Sequence, residues 1–151
     1  MPIKIDTIDS LVDHLYKSIS FDDIESLNWD NFRRLFKPEA RLIHVTDNGH
    51  DQMKVETYII KLKEQIKKGL LKNFCEYEIH RVAQCFGRIC QVFSTYEAKF
   101  NPSDIKLLAR GINSIQAVYN DGWAIANLMW YNETKENTIP ELYLPRILNE
   151  N

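Results

Sequence analysis

Residues 74–130 contain four stretches with the alternation of apolar and polar residues that is typical of strands. The first turn between them has Gly87 at the first of two central positions, as a type II′ hairpin requires. The last turn contains Gly122, which again tolerates the dihedral angles of a tight hairpin. The middle connection, over residues 101–104, is longer. This segment predicts an antiparallel four-strand meander whose register follows from its turns.

That register forms a polar row across the sheet. It pairs Arg81 with Ser94, Ser94 with Asn113, and Asn113 with Trp130. The surrounding positions of the same face are small and apolar, and Tyr96 lies among them. A polar row on a core face indicates a pocket, because buried polar groups need partners. We therefore expect Arg81, Ser94, Tyr96 and Trp130 to bind a ligand.

Side chains alternate between the faces of a strand, so the register assigns each residue to one face. The predicted core face carries Cys75, Tyr77, Ile79, Ala83, Cys85, Cys90, Val92, Tyr96, Ala98, Ile115, Ala117, Ala126 and Leu128. The predicted outer face carries Glu76, Glu78, His80, Gln84, Gln91, Thr95, Glu97, Lys99, Arg110 and Gln116, with Phe93, Ile112, Ile125 and Met129. A slip of one residue in any strand would exchange the two faces.

The length and charge of the chain limit its class. With 151 residues, the chain fits one domain, over residues 1–151. A net charge of -2 gives no bulk electrostatic case for binding nucleic acid or an anionic membrane surface. No apolar run approaches the ~20 residues of a membrane span. We expect neither nucleic acid nor membrane as a partner.

The cysteines predict a reducing compartment. Three cysteines, in a sequence without a secretory leader, favour free thiols and a cytoplasmic location. Cys85 faces Cys90 in the register, so a disulfide is conceivable, but we expect small buried hydrophobes. No zinc-ligand spacing, glycine-rich phosphate loop or serine nucleophile motif occurs, so we expect no metal and no cofactor.

The first half of the chain predicts three helices and a strand. Apolar residues at helical spacing predict a first helix over residues 8–19 and a third over residues 55–68, which ends at Gly69. A second helix should open at residue 20 or 22 and end at Pro38. Residues 41–45 resemble a short strand. Together these elements predict an α+β fold, in which a cone-shaped, strongly curved antiparallel sheet packs on about three N-terminal helices.

The sequence resembles the nuclear transport factor two-like superfamily, which includes ketosteroid isomerase, scytalone dehydratase and SnoaL-like polyketide cyclases. The likeness is strongest to bacterial members of unassigned function and covers nearly the whole chain. It depends on residues 35–40, 74–79, 86–97, 110–116, 121–130 and 139–144. It implies the cone-shaped fold, whereas members of this fold include enzymes, dimerisation modules and transport proteins.

The resemblance implies three candidate catalytic residues. By this resemblance, the general-base aspartate of the isomerase falls near His44, its protonated aspartate at Asn113 and its tyrosine donor close to Tyr16. A histidine can exchange a proton near neutral pH, while an amide and a hydroxyl can stabilise an oxyanion. Arg81 could anchor a carboxylate or a phenolate. These residues suit cofactor-free isomerase, dehydratase or cyclase chemistry on a small hydrophobic carbonyl compound.

Each candidate also has a structural interpretation. His44 could be a packed histidine, Tyr16 a core residue with a wet hydroxyl, and Arg81 part of an internal polar network. Under these interpretations the chain is a non-catalytic ligand-binding or dimerisation domain. The enzyme hypothesis predicts an enclosed pocket that reaches His44, Tyr16, Asn113 and Arg81, and the alternative predicts no such cavity.

The outer face of the sheet predicts a dimer. Glu78, Glu97 and Arg110 form a cross-strand charge row there, in which the arginine offsets the carboxylates. The apolar outer-face residues are Phe93, Ile112, Ile125 and Met129. Because the resemblance implies dimerisation through this face, we expect a homodimer.

Overall fold

The structure is a computed structural model that describes residues 4–146, and at Ile24 the backbone only. The predicted domain limits, residues 1 and 151, lie outside these described residues. The helical elements are α1 (Ile8–Ile19), a 3-10 turn (Ile24–Ser26), α2 (Trp29–Arg33), α3 (Val55–Lys67) and a second 3-10 turn (Glu141–Tyr143). The strands are β1 (Phe36–Thr46), β2 (Gly49–Lys54), β3 (Cys75–Phe86), β4 (Ile89–Lys99), β5 (Ala109–Tyr119) and β6 (Trp123–Asn132).

The strands form one six-stranded sheet in the order β2-β1-β6-β5-β4-β3. All neighbours are antiparallel except β1 and β6, which run parallel. The helices pack on one face of this curved sheet, and the buried apolar side chains of α1, α3 and the strands form one core between them. The predicted α+β class and four-strand meander are confirmed.

Helix α1 has the predicted bounds, and the Thr7 side chain caps it by accepting a hydrogen bond from Ser10 N at 3.0 Å. Helix α3 begins at Val55 as predicted. After it, Gly69 N donates to Ile66 O and Leu70 N donates to Gln65 O, both at 3.0 Å, which is the Schellman pattern. Gly69 has a φ of 74°, which explains why glycine ends this helix.

The predicted second helix is wrong in its extent. A 3-10 turn and the short helix α2 replace it, and the chain is already extended at Phe36. Pro38 lies inside β1 rather than at a helix end, because proline disfavours helical geometry in the residue before it. The pairing of β1 with β6 is irregular between Phe36 and Arg41, so the missing N–H of Pro38 interrupts no regular ladder.

The N-terminal part of the sheet is larger than predicted. The strand expected over residues 41–45 is the second half of an 11-residue strand, β1. A further strand, β2, pairs with it through a hairpin that ends at Gly49, where φ is 139°. The sequence of β2 is polar and its side chains are mostly exposed. It therefore lacks the alternation of apolar and polar residues that predicts a strand.

The predicted register of the meander is confirmed at the polar row. Arg81 pairs with Ser94, Ser94 with Asn113, and Asn113 with Trp130. Gly87 has a φ of 54°, as the predicted hairpin requires. The predicted faces are correct for β4 and β5, where Val92, Ser94, Tyr96, Ala98, Asn113, Ile115 and Ala117 are buried.

A bulge in β3 makes part of the face assignment wrong. Glu78 pairs with Tyr96 but His80 pairs with Thr95, so Ile79 is an extra residue between them. Before the bulge, the parity of β3 is therefore reversed. Glu76 and Glu78 lie on the core face with their partners, and Cys75 and Tyr77 lie on the outer face.

A second bulge, in β6, makes the predicted faces of its first residues wrong. Gln116 pairs with Asn127 but Ala117 pairs with Ile125, so Ala126 is the extra residue. Ile125 is consequently fully buried and Ala126 is exposed, the reverse of the prediction. The last hairpin also differs, since Tyr119 pairs with Trp123 and both Asp121 and Gly122 have positive φ angles.

Two of the three cysteines are bonded. Cys85 and Cys90, which face each other across the first hairpin, form a disulfide, and Cys75 is free. The expectation of reduced thiols is wrong for this pair. The cytoplasmic location, which rested partly on that expectation, stays a prediction. Among the described helices, none has the length and apolar character needed to cross a membrane.

Candidate functional site

A cavity with two adjoining chambers opens between the helices and the sheet. The outer chamber has a volume of about 640 Å³ and the inner chamber about 140 Å³. Ile19, Tyr58, Phe74 and Trp130 line both chambers and so form a collar between them. The outer volume is within the range of about 300–1,000 Å³ that is usual for ligand pockets. Cavities of about 150 Å³ accommodate benzene, so the inner chamber can hold one six-membered ring.

The inner chamber is apolar except at one end. Its apolar wall consists of the collar residues and Leu15, Phe32, Leu42 and Leu128. At its polar end lie Glu76 of β3 and Asn113 of β5. Asn113 Nδ2 lies 3.5 Å from Glu76 Oε2, a long contact in which the amide donates to the carboxyl. An amide and a carboxyl thus meet at one end of an apolar space.

Burial raises the pKa of Glu76 to about 7, and the hydrogen bond from Asn113 lowers it in part. None of the described residues that line the inner chamber carries a positive charge. Burial without a counter-charge favours the neutral acid, so Glu76 changes its charge near neutral pH. A carboxyl with such a pKa can act as both acid and base.

A chain of hydrogen bonds continues from Asn113 away from the cavity. Asn113 Nδ2 donates to the Tyr16 hydroxyl at 3.1 Å, and that hydroxyl lies 2.6 Å from Ser94 Oγ. Ser94 Oγ donates to Glu78 Oε2 at 2.5 Å. Burial raises the pKa of Tyr16 above its usual value, so this phenol stays neutral. Glu78 joins this hydrogen-bond chain because the bulge at Ile79 turned its side chain toward the core.

Arg81 completes the chain at the surface. Its Nε and Nη2 donate to Glu78, with distances from 2.6 to 3.0 Å. Its Nη1 donates to Asp9 at 2.6 Å and its Nη2 to Asp13 at 2.9 Å, both on α1. Burial lowers the pKa of the Arg81 guanidinium, but its hydrogen bonds to Glu78 and Asp13 outweigh burial and raise it overall. Three carboxylates of the protein therefore surround the guanidinium.

His44 lies in the outer chamber. Its ring stacks on Trp130 with a centroid separation of 5.2 Å and an angle of 10° between the planes. The Trp130 ring also meets Tyr58 edge to face, at 6.3 Å. Lys61 and Asp51, joined by a hydrogen bond of 2.6 Å, line the same chamber. The chamber thus has an aromatic wall and a polar rim.

The structure separates the predicted site residues into two groups. His44, Asn113 and Trp130 line the cavity, with Trp130 between the other two. Tyr16, Ser94 and Arg81 lie behind its wall, where α1 covers that end of the polar row. The expected single pocket that reaches His44, Tyr16, Asn113 and Arg81 is therefore wrong, because Tyr16 and Arg81 line neither chamber. The roles of the predicted site residues in binding stay predictions.

Tyr96 has a different environment from the one predicted. It is buried, and its hydroxyl donates to Asn132 Oδ1 at 2.5 Å, next to the backbone of Gly111. Neither chamber includes it among its lining residues. The surrounding geometry gives Tyr96 a packing role in the core.

Sequence reasoning missed Glu76, the titratable group of the inner chamber. Strict alternation assigned it to the outer face, and nothing in residues 74–81 marks the bulge that reverses the parity. The available signal was the pair of glutamates in that strand, Glu76 and Glu78, beside aromatic and apolar residues. A shift of one residue would have turned both into the core.

No protein-family model matches the sequence, and no curated protein matches it. Solved structures do match the fold. A protein of unknown function with a cystatin-like fold from Nostoc punctiforme has a TM-score of 0.63 at 12% identity, over 88% of this chain and 97% of that chain. An NTF2-like protein of unknown function from Pseudomonas putida has a TM-score of 0.64 at 6% identity, over 87% and 89%.

A third similar structure is an NTF-2 like protein of unknown function from Silicibacter pomeroyi, with a TM-score of 0.57 at 11% identity, over 83% of this chain and 92% of that chain. Identities this low carry information about the fold and none about the activity. The curved sheet, the helices on one of its faces and these three similarities agree. The chain therefore has the nuclear transport factor two-like, or cystatin-like, fold.

Proposed function

We propose that the cavity binds a small hydrophobic carbonyl compound and that Glu76 exchanges a proton with it, without a cofactor. One observation carries the proposal: a carboxyl with a pKa raised to about 7 lines an apolar chamber large enough for one ring. Such a carboxyl is partly ionised at neutral pH, so it can take a proton and return it.

The chemistry uses two side chains. The Glu76 carboxylate takes a proton from the carbon next to the carbonyl, and the C–H electron pair becomes a carbon–carbon double bond. The carbonyl electrons move to oxygen. The Asn113 N–H that faces Glu76 stabilises this negative charge once the carboxylate has taken the proton and lost its own charge. With a β,γ-unsaturated ketone, return of the proton from Glu76 to the γ-carbon gives isomerisation. With a β-hydroxy ketone, the enolate expels the hydroxyl group, which takes the proton from Glu76 and leaves as water.

His44 is the second proton-transfer candidate. It lines the outer chamber beside Trp130, and the same indole lines the inner chamber. A ligand that fills both chambers would therefore extend from Glu76 to the imidazole. The aromatic collar favours a flat or cyclic ligand, because rings stack well on indole and phenol faces.

Proton exchange on cyclohexanone tests the proposal directly. In D₂O near neutral pH, the protein should accelerate deuterium incorporation next to the carbonyl, measured by proton NMR. Glu76→Gln should reduce this rate by about 10²-fold or more, as loss of a general base does. The matched control is Glu97→Gln, which alters a carboxylate on the outer face. His44→Gln shows whether the imidazole contributes.

A second measurement separates binding from turnover. Prodan, a fluorescent naphthyl ketone, should shift its emission to the blue when it enters the aromatic outer chamber, and Trp130→Ala should weaken this binding. Binding of prodan without exchange on cyclohexanone would favour the non-catalytic alternative. If the protein neither binds prodan nor accelerates exchange on cyclohexanone, the proposal is refuted.

We also propose a homodimer through the outer sheet face. Phe93 and Met129 are exposed there, and they line a groove of about 630 Å³ with Ile112. Light scattering should give the mass of two chains for the wild type and one chain for Ile112→Asp. The control is Ile60→Asp, which changes an exposed residue of α3 and should stay dimeric.

A further inference from the structure

We infer that the ion pair of Arg81 and Glu78 sets the direction of the hydrogen-bond chain, and so holds the Asn113 amide with its NH₂ group toward Glu76. In this account Arg81, Glu78, Ser94 and Tyr16 are positioning residues. The inference rests on the proposed function of Glu76, although its test does not require turnover.

The direction of the chain follows from the chemistry of its members. A carboxylate only accepts hydrogen bonds, so Ser94 must donate its single proton to Glu78, at 2.5 Å. Ser94 can then only accept from the Tyr16 hydroxyl, at 2.6 Å. Tyr16 has no proton left and must accept at its oxygen, which requires a donor from Asn113, at 3.1 Å. Each hydrogen bond therefore fixes which atom donates in the next one.

The last step fixes the orientation of an amide that could otherwise rotate by 180°. Asn113 must present Nδ2 to Tyr16, and the second N–H of the same nitrogen then faces Glu76 Oε2 at 3.5 Å. With the opposite orientation, the amide oxygen would face the carboxylate and repel it. The Arg81–Glu78 ion pair thereby controls the direction of the Asn113 N–H donor in the cavity. It acts through buried side chains of α1, β4 and β5.

The charge on Arg81 makes the direction stable. Two of its nitrogens donate to the Glu78 carboxyl, so both of those oxygens accept hydrogen bonds from the guanidinium. Asp9 and Asp13 hold the remaining side of the guanidinium. A side chain at position 78 that can donate, such as glutamine, would allow the direction of the hydrogen-bond chain to reverse.

The groups that face Glu76 from other elements are neutral. They are Tyr16 of α1, Tyr58 of α3, Tyr96 of β4 and Asn113 of β5. Burial raises the pKa of all three tyrosines, so none ionises near neutral pH. The charged groups on the hydrogen-bond chain that reaches Glu76 are Glu78 and Arg81. Burial raises the pKa of Glu76, and the orientation of the Asn113 amide supplies the hydrogen bond that lowers it.

The test measures the pKa of the Glu76 carboxyl by carbon NMR of glutamate-labelled protein, with the resonance assigned by its loss in Glu76→Gln. In Ser94→Ala, Tyr16 loses its acceptor and turns its proton to the amide oxygen of Asn113, which rotates the amide. The pKa of Glu76 should rise by about one unit. This substitution changes no charge. The matched control, Thr95→Ala, removes a hydroxyl that is equally buried but bonded to Tyr143 O on the opposite face, and should leave the pKa unchanged.

Glu78→Gln gives opposite signs for the two explanations. Loss of a negative charge alone would lower the pKa of Glu76, because a nearby like charge is removed. In this variant the glutamine oxygen accepts from Arg81 and its NH₂ donates to Ser94, so the hydrogen-bond chain can reverse. Reversal turns the amide oxygen of Asn113 toward Glu76 and would raise the pKa of Glu76. A rise in both Ser94→Ala and Glu78→Gln supports the inference.

An unchanged or lowered pKa in either variant overturns the inference. Circular dichroism and urea unfolding confirm that each variant is folded before titration. Failure of the proposed function is a separate result: the pKa would respond to Ser94→Ala while the wild type neither binds prodan nor exchanges protons on cyclohexanone.

Discussion

Glu78 and Arg81 lie three residues apart on the same face of β3, and Arg81 Nη2 donates to Glu78 Oε1 at 2.6 Å. In a regular strand, residues three apart point to opposite faces. The extra residue Ile79 brings them together. One bulge thus creates the ion pair, turns Glu76 into the cavity and begins the hydrogen-bond chain that ends at Asn113.

Removal of the guanidinium should destabilise the fold. Arg81→Ala leaves Glu78, Asp9 and Asp13 close together without their cation, and Glu78 is largely buried. Because an unpaired buried carboxylate is costly, we expect a loss of about 2–4 kcal/mol in the free energy of unfolding, measured with urea.

The control for Arg81→Ala is Arg33→Ala. Arg33 also pairs with two carboxylates, Asp30 and Glu56, but at the exposed surface. Exposed ion pairs contribute about 0–1 kcal/mol. Equal losses in the two variants would contradict the importance of burial at Arg81.

The stability of the protein should depend on Glu76 between pH 4.5 and about 7. The pKa of this carboxyl is raised from 4.5 to about 7 in the folded state, so the unfolded chain releases the proton first as the pH rises. Stability that is full at low pH is therefore lost as the pH rises through this window. The loss is up to about 3 kcal/mol above pH 7, at 1.36 kcal/mol per pKa unit.

Glu76→Gln removes this titration and keeps the size of the side chain. The difference in unfolding free energy between the wild type and the variant should change with pH across the window, in favour of the variant at higher pH. Urea titrations of both proteins at several pH values give this difference, in which all other groups cancel. A difference independent of pH would mean that the carboxyl has an ordinary pKa.

Gly111 is required by close packing. A Cβ at this position would overlap the carbonyl oxygen of Tyr131 and the hydroxyl of Tyr96. We expect Gly111→Ala to cost about 2–3 kcal/mol in urea unfolding, as overpacking does. Tyr96→Phe in the same protein should restore at most part of this loss, because the contacts with the Tyr131 carbonyl oxygen and with the ring carbon of residue 96 remain.

Gly69→Ala provides the comparison for Gly111→Ala. Gly69 has open space around its Cα but a φ of 74°, so alanine there meets backbone strain without a clash. The expected cost is about 1 kcal/mol. A larger loss at residue 69 than at residue 111 would contradict the packing argument.

The cysteines should differ in reactivity. Cys85 and Cys90 form a disulfide, so the unfolded, unreduced protein should expose one thiol, that of Cys75, to a thiol reagent. After reduction, three thiols should react, as the composition requires. Three reactive thiols in protein purified without reductant would show that the hairpin is not cross-linked. Mass spectrometry of the peptide that spans both cysteines gives an independent answer.

The order and register of the main elements were readable from the sequence because their signals are local. Helical spacing gave α1 and α3, and glycines that tolerate positive φ angles gave the hairpins of the meander. The first hairpin and the middle connection align Arg81, Ser94 and Asn113 as predicted, whereas Asn113 lies opposite Trp130 because the bulge at Ala126 offsets the different last hairpin. Polar β2 and the early end of α2 carried no comparable local signal.

The candidate site was only partly predictable. His44, Asn113 and Trp130 are residues of the sheet and line the cavity. Tyr16 and Arg81 are instead connected by hydrogen bonds through Ser94 and Glu78. Which end of the polar row stays open depends on where α1 lies. That position is a matter of packing between elements distant in the chain.

The sequence by itself determined the α+β meander and the polar row, because strand alternation and turn chemistry act over a few residues. Only the tertiary structure decided that Ile79 bulges, that Glu76 faces the cavity and that α1 covers Arg81. A bulge changes the parity of a strand without changing its composition, and its position follows from how β3 pairs with β4 and packs under the helix.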